Sequence, residues 1–195
     1  MKGKLNVPNT LSLIRALLVP VFVATLLFMI DIPVWYCIVP TIVYILTGLT
    51  DMLDGKIARK YNLVTDFGKF IDPLADKFMV IGSSIAILVW MMLRGQTTQA
   101  LVFVWVVLII LLRELGVTSL RLVVAGKSGI VVAASMLGKI KTVSQMVGTV
   151  LILMEPLFFA DNHILSYICM GIMAFTTLFS GWDYLKAYMP HISMD

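Results

Sequence analysis

At 195 residues the chain is 60% hydrophobic and 13% charged, with a formal net charge of +4 and a mean hydropathy of +0.99. Soluble globular domains are about half apolar and about one-quarter charged, so these values exclude that class and point to a polytopic helical membrane protein. The two cysteines, Cys37 and Cys169, lie inside apolar segments as small buried hydrophobes, which argues against a disulfide framework or a cysteine metal site.

Taken in chain order, apolar runs predict an all-α fold of six transmembrane helices, over residues 10–30, 34–59, 66–93, 98–125, 137–159 and 163–187. The breaks between them read DIP, KYNLVT, RGQTT, GKSGIVVAASML and ADN. Lys2 and Lys4 precede the first run in the manner of a signal peptide. No small-x-small cleavage site follows, and Arg15 and Pro20 interrupt the run, so the reading is a retained first helix behind a short N-terminal interfacial segment. Neither a soluble domain nor an internal repeat is visible, which favours one membrane domain over 1–195 and weighs against an inverted-repeat transporter.

On this topology one membrane side collects Lys2, Lys4, Arg15, Lys56, Arg59, Lys60, Lys69, Lys77, Arg113, Arg121, Lys127, Lys139, Lys141 and Lys186. The other side holds Arg94. The positive-inside rule then places both termini at the cytoplasmic face of the cytoplasmic membrane. An anionic leaflet and anionic substrates account for the excess of positive charge without any nucleic acid.

Residues 50–77 carry five aspartates and five Lys or Arg in an otherwise apolar chain. Asp51 and Asp54 fall at the end of the second span, Asp72 and Asp76 early in the third. Spacings of three and four keep each pair on one helix face. The short KYNLVT connection makes the two helices antiparallel neighbours, so all four carboxylates can converge. Uncompensated, each charge costs about 2.5–3.5 kcal/mol at full membrane depth and less near the interface. One or two divalent cations remove that cost, and all-oxygen ligation suits Mg²⁺ or Mn²⁺. Gly55, Ala58 and Gly68 stand one turn or less from the acids and open space for a bulky group. Arg59 adds a cation suited to a phosphate oxygen. The alternative is a set of interfacial acids paired with neighbouring Lys and Arg, and for Asp66 stabilisation of a helix start is sufficient.

The pattern D51-x2-D54-G55-x2-A58-R59-x8-G68-x3-D72-x3-D76 resembles the signature of the CDP-alcohol phosphatidyltransferase family at every defined position. Residues 6–20 are similar to that family's opening segment, and residues 113–146 resemble the branch that uses sn-glycerol 3-phosphate as acceptor. The resemblance implies a six-helix homodimer whose cavity faces the cytoplasm and is open to lipid. It implies that Asp51, Asp54 and Asp72 ligate the metal ions. Asp76 would be the general base, with a possible metal contact of its own, and Gly55, Ala58, Arg59 and Gly68 would line the CDP-lipid site. The implied reaction is displacement of CMP from CDP-diacylglycerol by sn-glycerol 3-phosphate, giving phosphatidylglycerophosphate, with direct displacement as the default route and a covalent enzyme intermediate as the alternative.

A phosphorylated acceptor needs cations separate from the metal site. The candidates are Arg113, Arg121, Lys139 and Lys141, with topology determinants or headgroup anchors as the other reading. Glu114 is either the ion-pair partner of Arg113 or an orienting group. Asn9 and Arg15 either reach a nucleotide or lipid phosphate or serve helix entry and snorkelling. Lys127 is read as a solvated loop residue, and His163 and His191 carry no assigned role. Rival functions are the same transfer to inositol phosphate, serine or phosphatidylglycerol, a cation or proton transporter using intramembrane acids, and an inert scaffold.

Overall fold

The computed structural model describes residues 6–61, 65–128, 135–159 and 162–191, apart from the side chains of Ala58, Arg59, Ala125, Lys127, Ser128 and His191. Asn6 begins the fold: its side chain accepts from the Asn9 backbone N–H at 3.0 Å and caps α1 (Val7–Phe28), whose first turn carries Pro8. A proline there loses nothing, because first-turn N–H groups have no intrahelical acceptor. The expected interfacial segment is thus shorter than its sequence suggests. Residues 6–9 form the cap and first turn of α1, and residues 1–5 lie outside the described residues.

Helix α2 (Trp35–Tyr61) returns from the DIP turn. Thr65 caps α3 (Asp66–Leu93), accepting from the Gly68 N–H at 3.0 Å. Asp66, exposed in the first turn, pairs with Lys69 at 2.9 Å, so helix-start stabilisation accounts for it. Gly95, at φ 73°, allows the tight turn from α3 into α4 (Thr97–Ser128). Helices α5 (Met136–Phe159) and α6 (Ile164–Tyr188) complete the set, and a short 3₁₀ turn follows at Met189–His191.

All six helices are long and apolar enough to cross a membrane, and each boundary lies within three residues of the one expected from sequence. Lys127 differs from its expected place: the backbone there is the last turn of α4 and not a loop, while its side chain lies outside the described residues.

The helices form two groups of three. Helix α1 packs on α2 and α3, while α6 packs on α4 and α5; contacts of α3 with α4 and of α2 with α5 join the groups. Phe22, Leu26, Trp90, Phe103, Ile110, Leu153 and Met173 fill the shared core. Leu17, Trp105, Leu112 and Phe175 point outward and are well exposed. That would be costly in water and is expected of a lipid-facing surface. Because the chain alternates direction, the starts of α1, α3 and α5 and the ends of α2, α4 and α6 share one end of the bundle. The candidate site residues lie toward that end, with Arg113 midway along α4.

Candidate active site

Helix α1 supplies the organising residues. Asn9, Ser12 and Arg15 recur every three positions in an apolar helix and are 6%, 0% and 1% exposed. This stripe faces α2 and α3. Asn9 Nδ2 donates to Thr65 Oγ1 at 3.0 Å. Ser12 Oγ donates to Asp72 Oδ1 at 2.5 Å and lies 3.4 Å from Asp54 Oδ2. The Arg15 guanidinium pairs with Asp51 at 2.9 Å and, more closely, with Asp54 and Asp76.

The structure therefore brings the four predicted carboxylates together, three on one guanidinium and the fourth through Ser12. Asp54 is buried, Asp51 and Asp72 are partly exposed, and Asp76 is exposed toward the cavity. Arg15 does not snorkel to an interface. A buried arginine held by three carboxylates has no free path to water, and withdrawing it would leave those charges uncompensated.

Among the described residues, no three acidic, histidine or cysteine side chains stand ready to ligate a metal, because Arg15 occupies the space between them. The donors nonetheless fit a hard divalent cation. Carboxylates from two helices already converge on one positive group, and oxygen donors are what Mg²⁺ and Mn²⁺ prefer.

Gly68 sits at the contact of α1 with α3. A Cβ there would come 2.8 Å from Asn9 Oδ1 and 3.2 Å from Thr65 Oγ1, so the glycine permits the approach that seats α1 on the acids. Gly55 is half-buried beside Asp54. Ala58 and Arg59 belong to the last turns of α2, and their side chains lie outside the described residues.

The predicted cations form a second cluster on α4 and α5, held by α6. Arg113 Nη1 pairs with Glu114 at 2.9 Å and Arg113 Nη2 donates to Ser180 Oγ at 2.7 Å. Lys141, 3% exposed, closes on the same Glu114 oxygen. Arg121 Nη2 donates to the Tyr184 hydroxyl at 2.7 Å, and both arginines lie over the Tyr184 ring, at 5.3 and 4.9 Å. Lys139 is exposed at the cavity mouth. Glu114 is thus the shared partner of two cations.

The two clusters face one another. An inner chamber is lined by Asp51 and Asp76 on one side and by Arg113, Glu114 and Lys141 on the other. It continues into a mouth of 580 Å³ that adds Asp72, Arg121 and Lys139. Sequence reasoning did not anticipate Ser12, Ser180 or Tyr184. The spacing of Asn9, Ser12 and Arg15 was a usable signal for the first; single polar residues on α6 offered none for the others.

Known proteins resemble this chain along most of its length. The chain is 40% identical over 192 residues to the CDP-diacylglycerol–glycerol-3-phosphate 3-phosphatidyltransferase of Bacillus subtilis, covering 93% of this chain and 94% of the relative. It is 36% identical to a probable phosphatidylglycerophosphate synthase of Mycobacterium tuberculosis, over 96% of this chain and 83% of the relative. A Rickettsia bellii protein with the same name as the Bacillus one is 34% identical, over 96% and 97%. The sequence model for CDP-alcohol phosphatidyltransferases matches residues 5–182. With acids and cations on opposite walls of one chamber and the match spanning all six helices, the chain belongs to the CDP-alcohol phosphatidyltransferase family.

Proposed function

We propose that the chain transfers the phosphatidyl group from CDP-diacylglycerol to sn-glycerol 3-phosphate, releasing CMP and phosphatidylglycerophosphate. The observation that carries this reading is the chamber lined by Asp51 and Asp76 opposite Arg113 and Lys141. A donor diphosphate and an acceptor phosphate both need positive partners, and only two separate sites can hold them at once. The names of the relatives in three bacteria support the choice of substrates.

In this reading Asp51, Asp54 and Asp72, with Asp76 beside them, hold one or two Mg²⁺ or Mn²⁺ ions on the donor side. Bound there, the ions neutralise charge on the diphosphate and on the departing CMP. Arg113, Arg121, Lys139 and Lys141 hold the acceptor phosphate, Arg by paired contacts and Lys as a point charge. The acceptor hydroxyl oxygen bonds to the lipid-linked phosphorus as the bond from that phosphorus to the CMP oxygen breaks. Asp76, exposed to the chamber, takes the hydroxyl proton. Gly55, Ala58, Arg59 and Gly68 complete the CDP-lipid side, Gly68 by letting Asn9 and Thr65 close against α3.

The whole chain acts as one membrane domain in this proposal, with the site and both termini toward the cytoplasm, supported by the crowding of Lys and Arg at the site end. The family resemblance further suggests a homodimer. Purified protein should release CMP only when CDP-diacylglycerol, sn-glycerol 3-phosphate and a divalent cation are all present. EDTA should abolish release and Mg²⁺ or Mn²⁺ restore it. In an acceptor panel of sn-glycerol 3-phosphate, inositol phosphate, serine and phosphatidylglycerol, a different preferred acceptor would overturn the substrate assignment. Ion flux without CMP release would overturn the enzyme reading.

A further inference from the structure

We infer that the end of the bundle away from the acids carries a pocket for the phosphate headgroup of an anionic phospholipid in the opposite leaflet. This site is separate from the proposed transfer chemistry and shares no residue with it. The pocket, of 390 Å³, lies where α3 turns into α4 and is lined by Arg94, Gln96, Thr97, Thr98, Gln99 and His163. Arg94 is the only Lys or Arg that the sequence places on this side.

The cation is held in position by aromatic rings. The Arg94 guanidinium carbon lies 4.2 Å from the centre of the Tyr36 ring and 5.4 Å from that of Trp90. Among the described residues no carboxylate pairs with it. The start of α4 adds further donors. The Gln96 carbonyl accepts from the Ala100 N–H at 2.9 Å, so the N–H groups of Thr97, Thr98 and Gln99 precede any acceptor within the helix. A helix start offers such groups, with the positive end of its dipole, to an anion.

Side chains at the same place lack partners. Gln99 is 3% exposed, yet its side-chain oxygen makes no hydrogen bond. The same holds for the buried atoms Arg94 Nε, Gln96 Oε1 and His163 Nδ1. His163 Nδ1 stands 3.8 Å from Glu155, whose carboxylate is engaged by the N–H and hydroxyl of Ser166. Four unpartnered polar atoms in one pocket depart from the usual satisfaction of buried groups. They suit a ligand that both accepts and donates. Phosphate oxygens accept from Arg94 and the α4 N–H groups, while headgroup hydroxyls donate to the two amide oxygens.

The surroundings select a lipid as the source of that phosphate. Leu93 and Ile164, next in sequence to Arg94 and His163, are each 62% exposed on the lipid-facing surface. Acyl chains joined to the phosphate therefore have an apolar flank to lie along. Tyr and Trp rings also mark the level at which headgroups sit. A free phosphate ion shares the anionic chemistry but has no use for the flank.

The test titrates purified protein in detergent with three probes. Dioleoylphosphatidylglycerol has free headgroup hydroxyls, dioleoylphosphatidylcholine has none, and inorganic phosphate has no chains. Native mass spectrometry counts bound lipid, and thermal unfolding is followed in parallel. Phosphatidylglycerol should bind about tenfold or more tightly than phosphatidylcholine. R94Q and Q99L should each remove most of that preference, with CMP release within about twofold of the wild type as the control for an intact fold. Equal binding of the two lipids, or a preference that survives both substitutions, would overturn the proposal. Protection by inorganic phosphate equal to that by phosphatidylglycerol would overturn the lipid as its source. A second measurement needs no variant: a phosphatidylglycerol bearing a diazirine in its headgroup is photolysed with the wild-type protein. Adducts should map to residues 94–99 and 163–167; adducts confined to 51–76 and 113–141 would reject the pocket.

Discussion

The two walls of the chamber invert one another. On α1–α3, three carboxylates meet a single guanidinium, that of Arg15, and a fourth, Asp72, joins them through Ser12. On α4–α6, two cations, Arg113 and Lys141, share a single carboxylate, that of Glu114, while Arg121 rests on Tyr184 and Lys139 stands at the mouth. Each wall is left with an excess of one sign. Neither wall resembles a set of exposed surface ion pairs, which contribute little. Arg15 and Lys141 are nearly inaccessible, so each depends on its partners. The contrast teaches that two helix groups of one chain present opposite charge to a single chamber, the asymmetry on which the proposed division between a cation-holding and a phosphate-holding wall rests.

Substitutions that affect one wall and spare the other test this contrast most directly. The largest effect is expected from D76N, which should lower turnover by about 10²–10⁴-fold if its carboxylate takes the acceptor proton. Binding of CDP-diacylglycerol, measured by equilibrium binding, should largely survive. Retained turnover would remove Asp76 from that role and leave the acid wall purely electrostatic.

R15Q is expected to destabilise the protein by about 3–5 kcal/mol, the usual cost of removing one partner from a buried ion-pair cluster. Thermal unfolding in detergent would show it as a lowered Tm. If Asp51, Asp54 and Asp76 are a cation site, added Mn²⁺ should recover more of the Tm in R15Q than it adds to the wild type. No recovery would argue that the acids need the guanidinium alone.

On the opposite wall, K141A should raise the KM for sn-glycerol 3-phosphate by about 10–100-fold, the loss of one charge-assisted contact worth roughly 1.5–3 kcal/mol. The KM for CDP-diacylglycerol should change far less. Equal changes in both would dissolve the division of labour between the walls. The smallest effect concerns the scaffold that brings the acid wall together. N6A removes the α1 cap and should cost about 1 kcal/mol in thermal or denaturant unfolding, with kinetic constants per folded molecule unchanged.

Much of this was legible before the fold was seen, for definite reasons. Six apolar runs gave six helices because the bilayer demands that every backbone polar group be satisfied within the helix. Asp51 with Asp54, and Asp72 with Asp76, shared faces because helical spacing permits nothing else. The grouping of Arg121, Lys139 and Lys141 near one chamber also followed from their places toward helix ends, whereas Arg113 sits midway along α4. Arg15 was harder. Its position beside a membrane end was compatible with snorkelling, and only the packing of α1 on α2 and α3 turns its side chain inward. Glu114 could be paired with Arg113 by adjacency, but its second partner, Lys141, lies 27 positions away on another helix. Ser180 and Tyr184 of α6 were invisible for the same reason.

The sequence by itself determined the helices, their order, the faces that carry charge and the acid signature, since these depend on local periodicity and on the energetic penalty for unsatisfied groups in lipid. Tertiary structure alone decided that Arg15 holds three of the acids and that Glu114 joins two cations. Those are contacts between residues far apart in the chain, set by which helix faces interlock, and no local pattern of residues encodes them.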